Sequence, residues 1–322
     1  MKTLAVALGD PNGIGPEIAL KALAHFHGHE GLRLRVYGSA NVFHRTADQL
    51  GLAPLARSAD LVDVGFLSDE HAVPGQVNGA AGASTIAAAS AALQACRAGH
   101  AAAVVACPHH ETAVAQAGIA FSGYPSLVAR VCGVPEDEVF LMLVGGGLRI
   151  VHATLHESVA HAIGRITPEL VMAAVRAGVR ACGTLGVTQP TIGLFGINPH
   201  ASEGGLFGPE DARLVAPAAE RLRAEGLRVD GPLGADLLLS QRRHDLFVAM
   251  LHDQGHIPVK LLAPNAASAL SIGADVLLSS VGHGSAMDIA GLGIASAEAL
   301  IRTISMLAGT TPAAAPTQSA AP

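Results

Sequence analysis

The densest set of chemically capable side chains lies in Leu251-His252-Asp253-Gln254-Gly255-His256-Ile257-Pro258-Val259-Lys260. It follows the apolar run Leu246-Phe247-Val248-Ala249-Met250, which reads as a buried strand. An imidazole, a carboxylate, an amide and an ammonium therefore leave one strand end together, where open α/β sheets bind their ligands. An imidazole can ligate a divalent ion, a carboxylate beside it can orient its ring, and an ammonium can clamp an anion or move a proton. His156 and His200 also lie just past apolar runs, Leu148–Ala153 and Thr191–Ile197. In a parallel sheet His156, His200 and His252 would stand near one edge, and three imidazoles can hold a dication with positions left open. Each histidine taken alone also reads as a satisfied loop residue, and sequence distance leaves their convergence open.

The elements that must carry these groups alternate between strand and helix. Thr3–Leu8, Arg33–Tyr37, Ala102–Cys107, Phe140–Val144 paired with Leu148–Ala153, Thr191–Ile197, Leu246–Met250 and Val276–Leu278 read as strands. Helices are expected after Gly9-Asp10-Pro11-Asn12-Gly13-Ile14-Gly15-Pro16-Glu17, from a cap at Ser84 to about Gly99, after Cys107-Pro108-His109-His110-Glu111 and after Phe121–Ser126. The alternation predicts an α/β class with largely parallel pairing. The Ala/Pro/Thr/Ser tail from Gly309 to Pro322 is expected to be disordered.

Composition removes several classes of function. The net charge is −6, with no Trp and two Tyr, which argues against a nucleic-acid surface built of clustered cations and stacking aromatics. Uncharged stretches such as Gly79–Cys96 are interrupted by Gly, Ser, Thr and Gln, so no membrane span is expected. No basic segment with an apolar core follows Met1, which makes a cytoplasmic location the expectation. Cys96, Cys107, Cys132 and Cys182 lack metal-knuckle or disulfide spacing.

Taken together, Gly9–Ile18, Asn198–Gly205, His252–Lys260 and Ser280–Gly291 resemble the 4-hydroxythreonine-4-phosphate dehydrogenase family of metal- and NAD-dependent oxidoreductases. The resemblance runs from the start of the chain to near its end. It implies one family domain over residues 1–308, made of two α/β/α lobes of the isocitrate/isopropylmalate dehydrogenase type with a cleft between them. It also implies a homodimer with a shared active site. Carried over residue by residue, it assigns metal binding to His156, His200 and His252, with Zn²⁺ foremost and Fe, Mn, Co or Mg as alternatives. Substrate binding or acid/base work falls to Lys260, and neighbouring acidic roles to Asp253 and Asp236.

The departures from that family are as informative. Where it has a substrate-contacting His-Thr pair, this chain has Tyr124-Pro125. The family's phosphate-contacting asparagine and arginine fall near Ala269 and Leu278, and a further lysine becomes Glu111. A site without those donors has lost its charge-assisted hold on a phosphate. The stretches Ala106–Thr112, Phe121–Leu127, Leu141–Val151, Leu155–Val159 and His252–Ser271 instead resemble the terephthalate dihydrodiol dehydrogenase branch. That branch implies a dicarboxylate substrate, and His109, His110 and Tyr124 become candidate substrate contacts.

His283-Gly284-Ser285-Ala286-Met287-Asp288-Ile289-Ala290-Gly291 is similar to the nucleotide loop of isopropylmalate dehydrogenases. That resemblance places NAD against Gly284, Ser285, Ala286, Asp288 and Ile289, with the Asp288 carboxylate favouring NAD over NADP. Two other readings stay open: a dehydrogenase of a phosphorylated hydroxy acid such as a threonate phosphate, and a non-catalytic protein that binds a small molecule or a metal.

Overall fold

The structure, a computed structural model, describes residues 1–263 and 267–309. Among them, eleven strands form one continuous sheet. The strands are β1 (Lys2–Ala7), β2 (Leu32–Gly38), β3 (Asp60–Asp63), β4 (Ala103–Ala106), β5 (Val139–Gly145), β6 (Leu148–His152), β7 (Thr191–Phe195), β8 (Arg228–Leu233), β9 (Leu246–Ala249), β10 (Ser268–Gly273) and β11 (Val276–Ser280). Their order is β3-β2-β1-β4-β11-β10-β5-β6-β9-β7-β8.

Two parallel halves make up this sheet. In one, β3, β2, β1, β4 and β11 run together. In the other, β6, β9, β7 and β8 do. Between them β11-β10, β10-β5 and β5-β6 are all antiparallel. Three reversals leave the halves pointing in opposite directions, so their carboxyl edges lie on opposite sides of the sheet. The expected parallel pairing therefore holds within each half and fails at the centre. There the Gly145-Gly146-Gly147 hairpin reverses the chain, Gly146 and Gly147 supplying the positive φ that the turn requires.

The central strands are buried on both faces, which is why they read as unbroken apolar runs instead of alternating ones. A core of Leu4, Val6, Ile18, Val36, Phe43, Val151, Val175, Ile192, Val248 and Leu270 spans both halves. Among the strands, β3, β8 and β10 were not foreseen. Asp60–Asp63 and Arg228–Leu233 carry charge, and in Ser268–Gly273 only Leu270 and Ile272 alternate among small residues, so each hydrophobic signal is short and weak.

The helix expected from Ser84 begins earlier, spanning Gly79–Arg97, because the Asn78 side chain accepts the Ala81 N–H at 2.9 Å and caps it. Pro16 lies in the first turn of helix Gly15–His25, as its fixed φ suits. All four cysteines are free and buried. Residues 310–322, nearly all of the segment expected to be disordered, lie outside the described residues. Among those described, no helix is long and apolar enough to cross a membrane.

Candidate active site

Strands β6, β9 and β7 are adjacent and parallel, so the segments that follow them leave the same edge. The stretch after β9 is a helix, His252–Leu262, not an open loop. Gln254 anchors it: its Oε1 accepts the Met250 and Leu251 N–H groups at 2.9 and 3.0 Å. Its Nε2 donates to Gly196 O, just past β7, at 2.8 Å. The helix start is thereby tied to two strand ends.

A helical repeat stacks His252 on His256, with ring centroids 3.7 Å apart and planes 12° apart. His156, beyond β6, brings its ring centroid to 5.4 Å from His252, and His152, the last residue of β6, reaches 4.6 Å from His256. The hydrogen bonds fix the tautomers. His152 Nδ1 donates to Leu141 O at 3.2 Å, leaving Nε2 to accept from His256 Nδ1 at 3.0 Å. His252 Nδ1 donates to Asp253 Oδ1 at 2.7 Å. His252 and His256 are thus each left with an Nε2 lone pair.

Burial above all, then neighbouring imidazoles, disfavours the charged rings. The pKa of His152 falls to about 3 and that of His256 to about 4, and His156 is lowered in the same direction. Neutral imidazoles with carboxylate- or carbonyl-fixed tautomers are the form that binds divalent ions, so the donor set fits a metal chemically.

His200 stands apart from this cluster. It opens a run of left-handed residues, His200, Ala201, Ser202 and Glu203, with φ between 43° and 69°. Such a run costs of order 1–3 kcal/mol per strained residue and persists where the surroundings enforce it. Asp211 enforces it here, accepting from Ile197 N, Asn198 N and Ser202 Oγ at 2.7, 3.0 and 2.8 Å. His200 Nδ1 lies 3.1 Å from Glu203 Oε2. Gly234 sits between His200 and Asp236: a Cβ there would meet Asp236 Oδ1 at 2.7 Å and His200 Cα at 3.8 Å. Asp236 therefore neighbours the His200 backbone. Among the described residues no three metal-binding side chains of this one chain gather round a point. Lys260 is exposed in the last turn of its helix, close enough for its charge to oppose protonation of His256.

The other carboxyl edge, at β1, β4 and β11, gathers a second set. Here the chain approaches itself closely: a Cβ at Gly9 would stand 2.3 Å from Pro108 O, and one at Gly13 2.8 Å from Ser285 O. Ile14 N–H donates to Ser285 O at 3.0 Å. These contacts bind the loop after β1 to those after β4 and β11.

Pro108, His109, His110, Tyr124, His283 and Ser285 are among the walls of a cavity of about 400 Å³. His109 packs edge-on against Phe121 and Tyr124 at 4.8 and 5.0 Å, and burial lowers its pKa. Tyr124 is buried and gives its hydroxyl hydrogen to Cys107 O at 3.0 Å. Gly284, Ser285 and Ala286 follow β11 without regular secondary structure, Ala286 at a positive φ of 42°, and Asp288 lies exposed in the turn beyond. Ala269 in β10 and Leu278 in β11 carry no polar side chain, and Leu278 is fully buried.

His152 and His256 carried no assignment from sequence. His256 was legible as the i+4 partner of His252 once that stretch is taken as a helix. His152 was hidden inside an apolar strand and gave no signal of its own.

Residues 19–307 match the family of pyridoxal phosphate biosynthetic protein PdxA. Over 306 residues the chain is 58% identical to the 1,2-dihydroxy-3,5-cyclohexadiene-1,4-dicarboxylate dehydrogenase of Comamonas sp, covering 95% of this chain and 97% of that protein. The crystal structure of a terephthalate 1,2-cis-dihydrodiol dehydrogenase from Burkholderia xenovorans superposes with TM-score 0.81 at 49% identity, covering 96% and 98% of the two chains. A β-decarboxylating dehydrogenase from Thermococcus kodakarensis shares the fold alone, with TM-score 0.51, 18% identity and coverage of 95% and 82%. The fold, the extent of the match and the dehydrogenase relatives lead to one conclusion: this chain is an oxidoreductase belonging to the PdxA family.

Proposed function

We propose that the protein is a metal-dependent NAD dehydrogenase that oxidises and decarboxylates 1,2-dihydroxy-3,5-cyclohexadiene-1,4-dicarboxylate, yielding protocatechuate, CO2 and NADH. The observation that carries this reading is the apolar pair Ala269 and Leu278, where the parent family's phosphate donors fall, in a chain 58% identical to a dehydrogenase named for that dicarboxylate.

The chemistry follows from the substrate. Loss of hydride from C2 to NAD, and of the C2 hydroxyl proton, makes a ketone β to the C1 carboxylate. The C1–carboxylate bond then breaks, CO2 leaves, and its electron pair enters the ring as an enolate that protonates to the aromatic diol. A divalent ion held by His156, His200 and His252, when bound, supplies Lewis-acid stabilisation of the oxygen that gains charge. Asp253 keeps the His252 ring turned with Nε2 free. Lys260 holds a substrate carboxylate or moves the proton, and Asp236 serves the His200 side of the site. Gly284, Ser285, Ala286, Asp288 and Ile289 hold NAD, with Asp288 at the adenosine ribose. On the substrate side, His109, His110 and Tyr124 form the wall at the distal carboxylate.

Residues 1–308 act as one family domain of two lobes, and the active form is a homodimer with a shared site. Two observations support this assembly. The histidine cluster and the nucleotide loop leave opposite edges of the sheet, so a single chain does not bring them to one edge. Helix His252–Leu262 also exposes Ile257, Leu261 and Leu262, and Leu233 and Leu237 are exposed nearby in sequence to Asp236, apolar surface suited to a subunit interface.

The deciding experiment supplies the purified protein with NAD and the dihydrodiol dicarboxylate and follows NADH and CO2 together. Turnover of threonate 4-phosphate or 4-hydroxythreonine 4-phosphate in its place would assign the phosphorylated hydroxy-acid reading. Failure to bind any nicotinamide nucleotide would assign the non-catalytic one.

A further inference from the structure

At the carboxyl edge of β1 and β4, three polar atoms are sealed from solvent without a hydrogen-bond partner: Asp10 Oδ2, Asn12 Oδ1 and His110 Nδ1. Asp10 is fully buried, and its other oxygen accepts the Asn12 N–H at 2.9 Å. A buried carboxylate with one oxygen idle is costly unless it meets a donor or a cation. Burial pushes the Asp10 pKa up to about 6, against the opposing pull of the Asn12 N–H and of the His110 charge.

The groups around His110 leave few other readings. His109 and Glu111 flank it on its own segment, Tyr124 faces it from the next helix, His283 from the loop after β11, and Asp10 from the loop after β1. His109 is packed among aromatic rings, and the Tyr124 hydroxyl is committed to Cys107 O. His283 Nδ1 lies 3.1 Å from Gly284 O. Glu111 is exposed, so solvent screens its repulsion of an anion. Of these rings, His110 is the one with a buried nitrogen left without a hydrogen-bond partner.

The Asp10 N–H donates to Pro108 O at 2.8 Å, which ties its loop to the His110 segment. We propose that Asp10 is a positioning residue for His110: Asp10 Oδ2 and His110 Nδ1, each left without a partner, meet when His110 Nε2 binds the substrate carboxylate remote from the reacting carbon, with uptake of one proton on binding. This rests on the dicarboxylate reading above. A ring between two carboxylates carries both protons, because each makes a charge-assisted hydrogen bond.

The test compares the dihydrodiol dicarboxylate with its analogue lacking the C4 carboxylate. Asp10→Asn, which keeps an acceptor for Asn12 N–H, and His110→Gln should each raise KM for the dicarboxylate about tenfold or more. For Asp10→Asn, kcat should stay within about twofold of the parent, and KM for the analogue should not move. Equal effects on both substrates, or none on either, would overturn the pair.

A second measurement needs no turnover. Calorimetric titration of the purified protein with terephthalate, in two buffers of different ionisation enthalpy, should show uptake of a proton by the parent and not by Asp10→Asn. Absence of terephthalate binding, or binding without proton uptake, overturns the proposal. If the parent oxidises neither diol, the dicarboxylate dehydrogenase reading falls by itself, while the calorimetry still decides the pair.

Discussion

His256 Nδ1 lies 3.0 Å from His152 Nε2, in a chain of hydrogen bonds that ends on the Leu141 carbonyl. This contact can exist only while His152 is neutral at Nε2. It therefore sets a direction for the pH dependence of stability. The His152 pKa falls from 6.5 to about 3 on folding, chiefly through burial. A depressed histidine contributes fully above its unfolded pKa, and that contribution is lost as pH falls from 6.5 towards about 3. Between pH 7 and 4.5 the expected loss is about 2 to 3 kcal/mol, read from denaturant midpoints. His152→Asn should flatten the profile across that window; an unchanged slope would remove His152 as its source.

Asp10 has the opposite sign. Its carboxyl pKa is raised from 3.8 to about 6, so its contribution is greatest below 3.8 and is lost as pH rises through about 6. Asp10→Asn should therefore stabilise the fold at pH 7.5 by roughly 1–3 kcal/mol and leave it unchanged near pH 3.5. Equal stability of the two proteins at pH 7.5 would contradict the cost of burying that carboxylate.

Gly255 is where helix His252–Leu262 presses on His152. A Cβ at this position would stand 2.3 Å from His152 Nε2 and 2.9 Å from Ile150 Cγ2. Gly255→Ala should cost about 1–3 kcal/mol through overpacking and part the His152–His256 contact. Thermal unfolding gives the first quantity and imidazole proton shifts the second.

Metal dependence tests the histidine assignments. Exhaustive chelation should abolish turnover, and Zn²⁺ or another divalent ion should restore it and raise Tm. Asp253→Asn removes the carboxylate 2.7 Å from His252 Nδ1 and should weaken metal retention about 10- to 100-fold. His200→Ala should weaken it as well, although His200 stands outside the cluster within one chain. Full activity after chelation would dismiss the metal.

Cofactor choice tests Asp288, exposed in its turn after β11. The kcat/KM with NAD should exceed that with NADP by at least about tenfold, because a carboxylate repels a 2′-phosphate. Asp288→Ser should narrow the ratio. Equal use of both nucleotides by the parent protein would release Asp288 from its role.

By itself the sequence determined the α/β class, the strands that close on chemically armed segments, and the family, because buried strands and strand-end loops leave local signals. Tyr37 and Val105 in apolar strands, and His252-Asp253 at the foot of another, are such signals. Only the tertiary structure decided which imidazoles meet. His152 and His256 joined the cluster through a β6–helix contact permitted by a side-chain-free Gly255, while the strained run at His200 set that residue apart. The antiparallel centre of the sheet likewise arises from long-range pairing of β10 with β5 and β11, for which the short alternation of Leu270 and Ile272 expresses neither partner nor direction. Its three reversals place the histidines and the nucleotide loop on opposite edges, a consequence of strand direction that no spacing along the chain expresses.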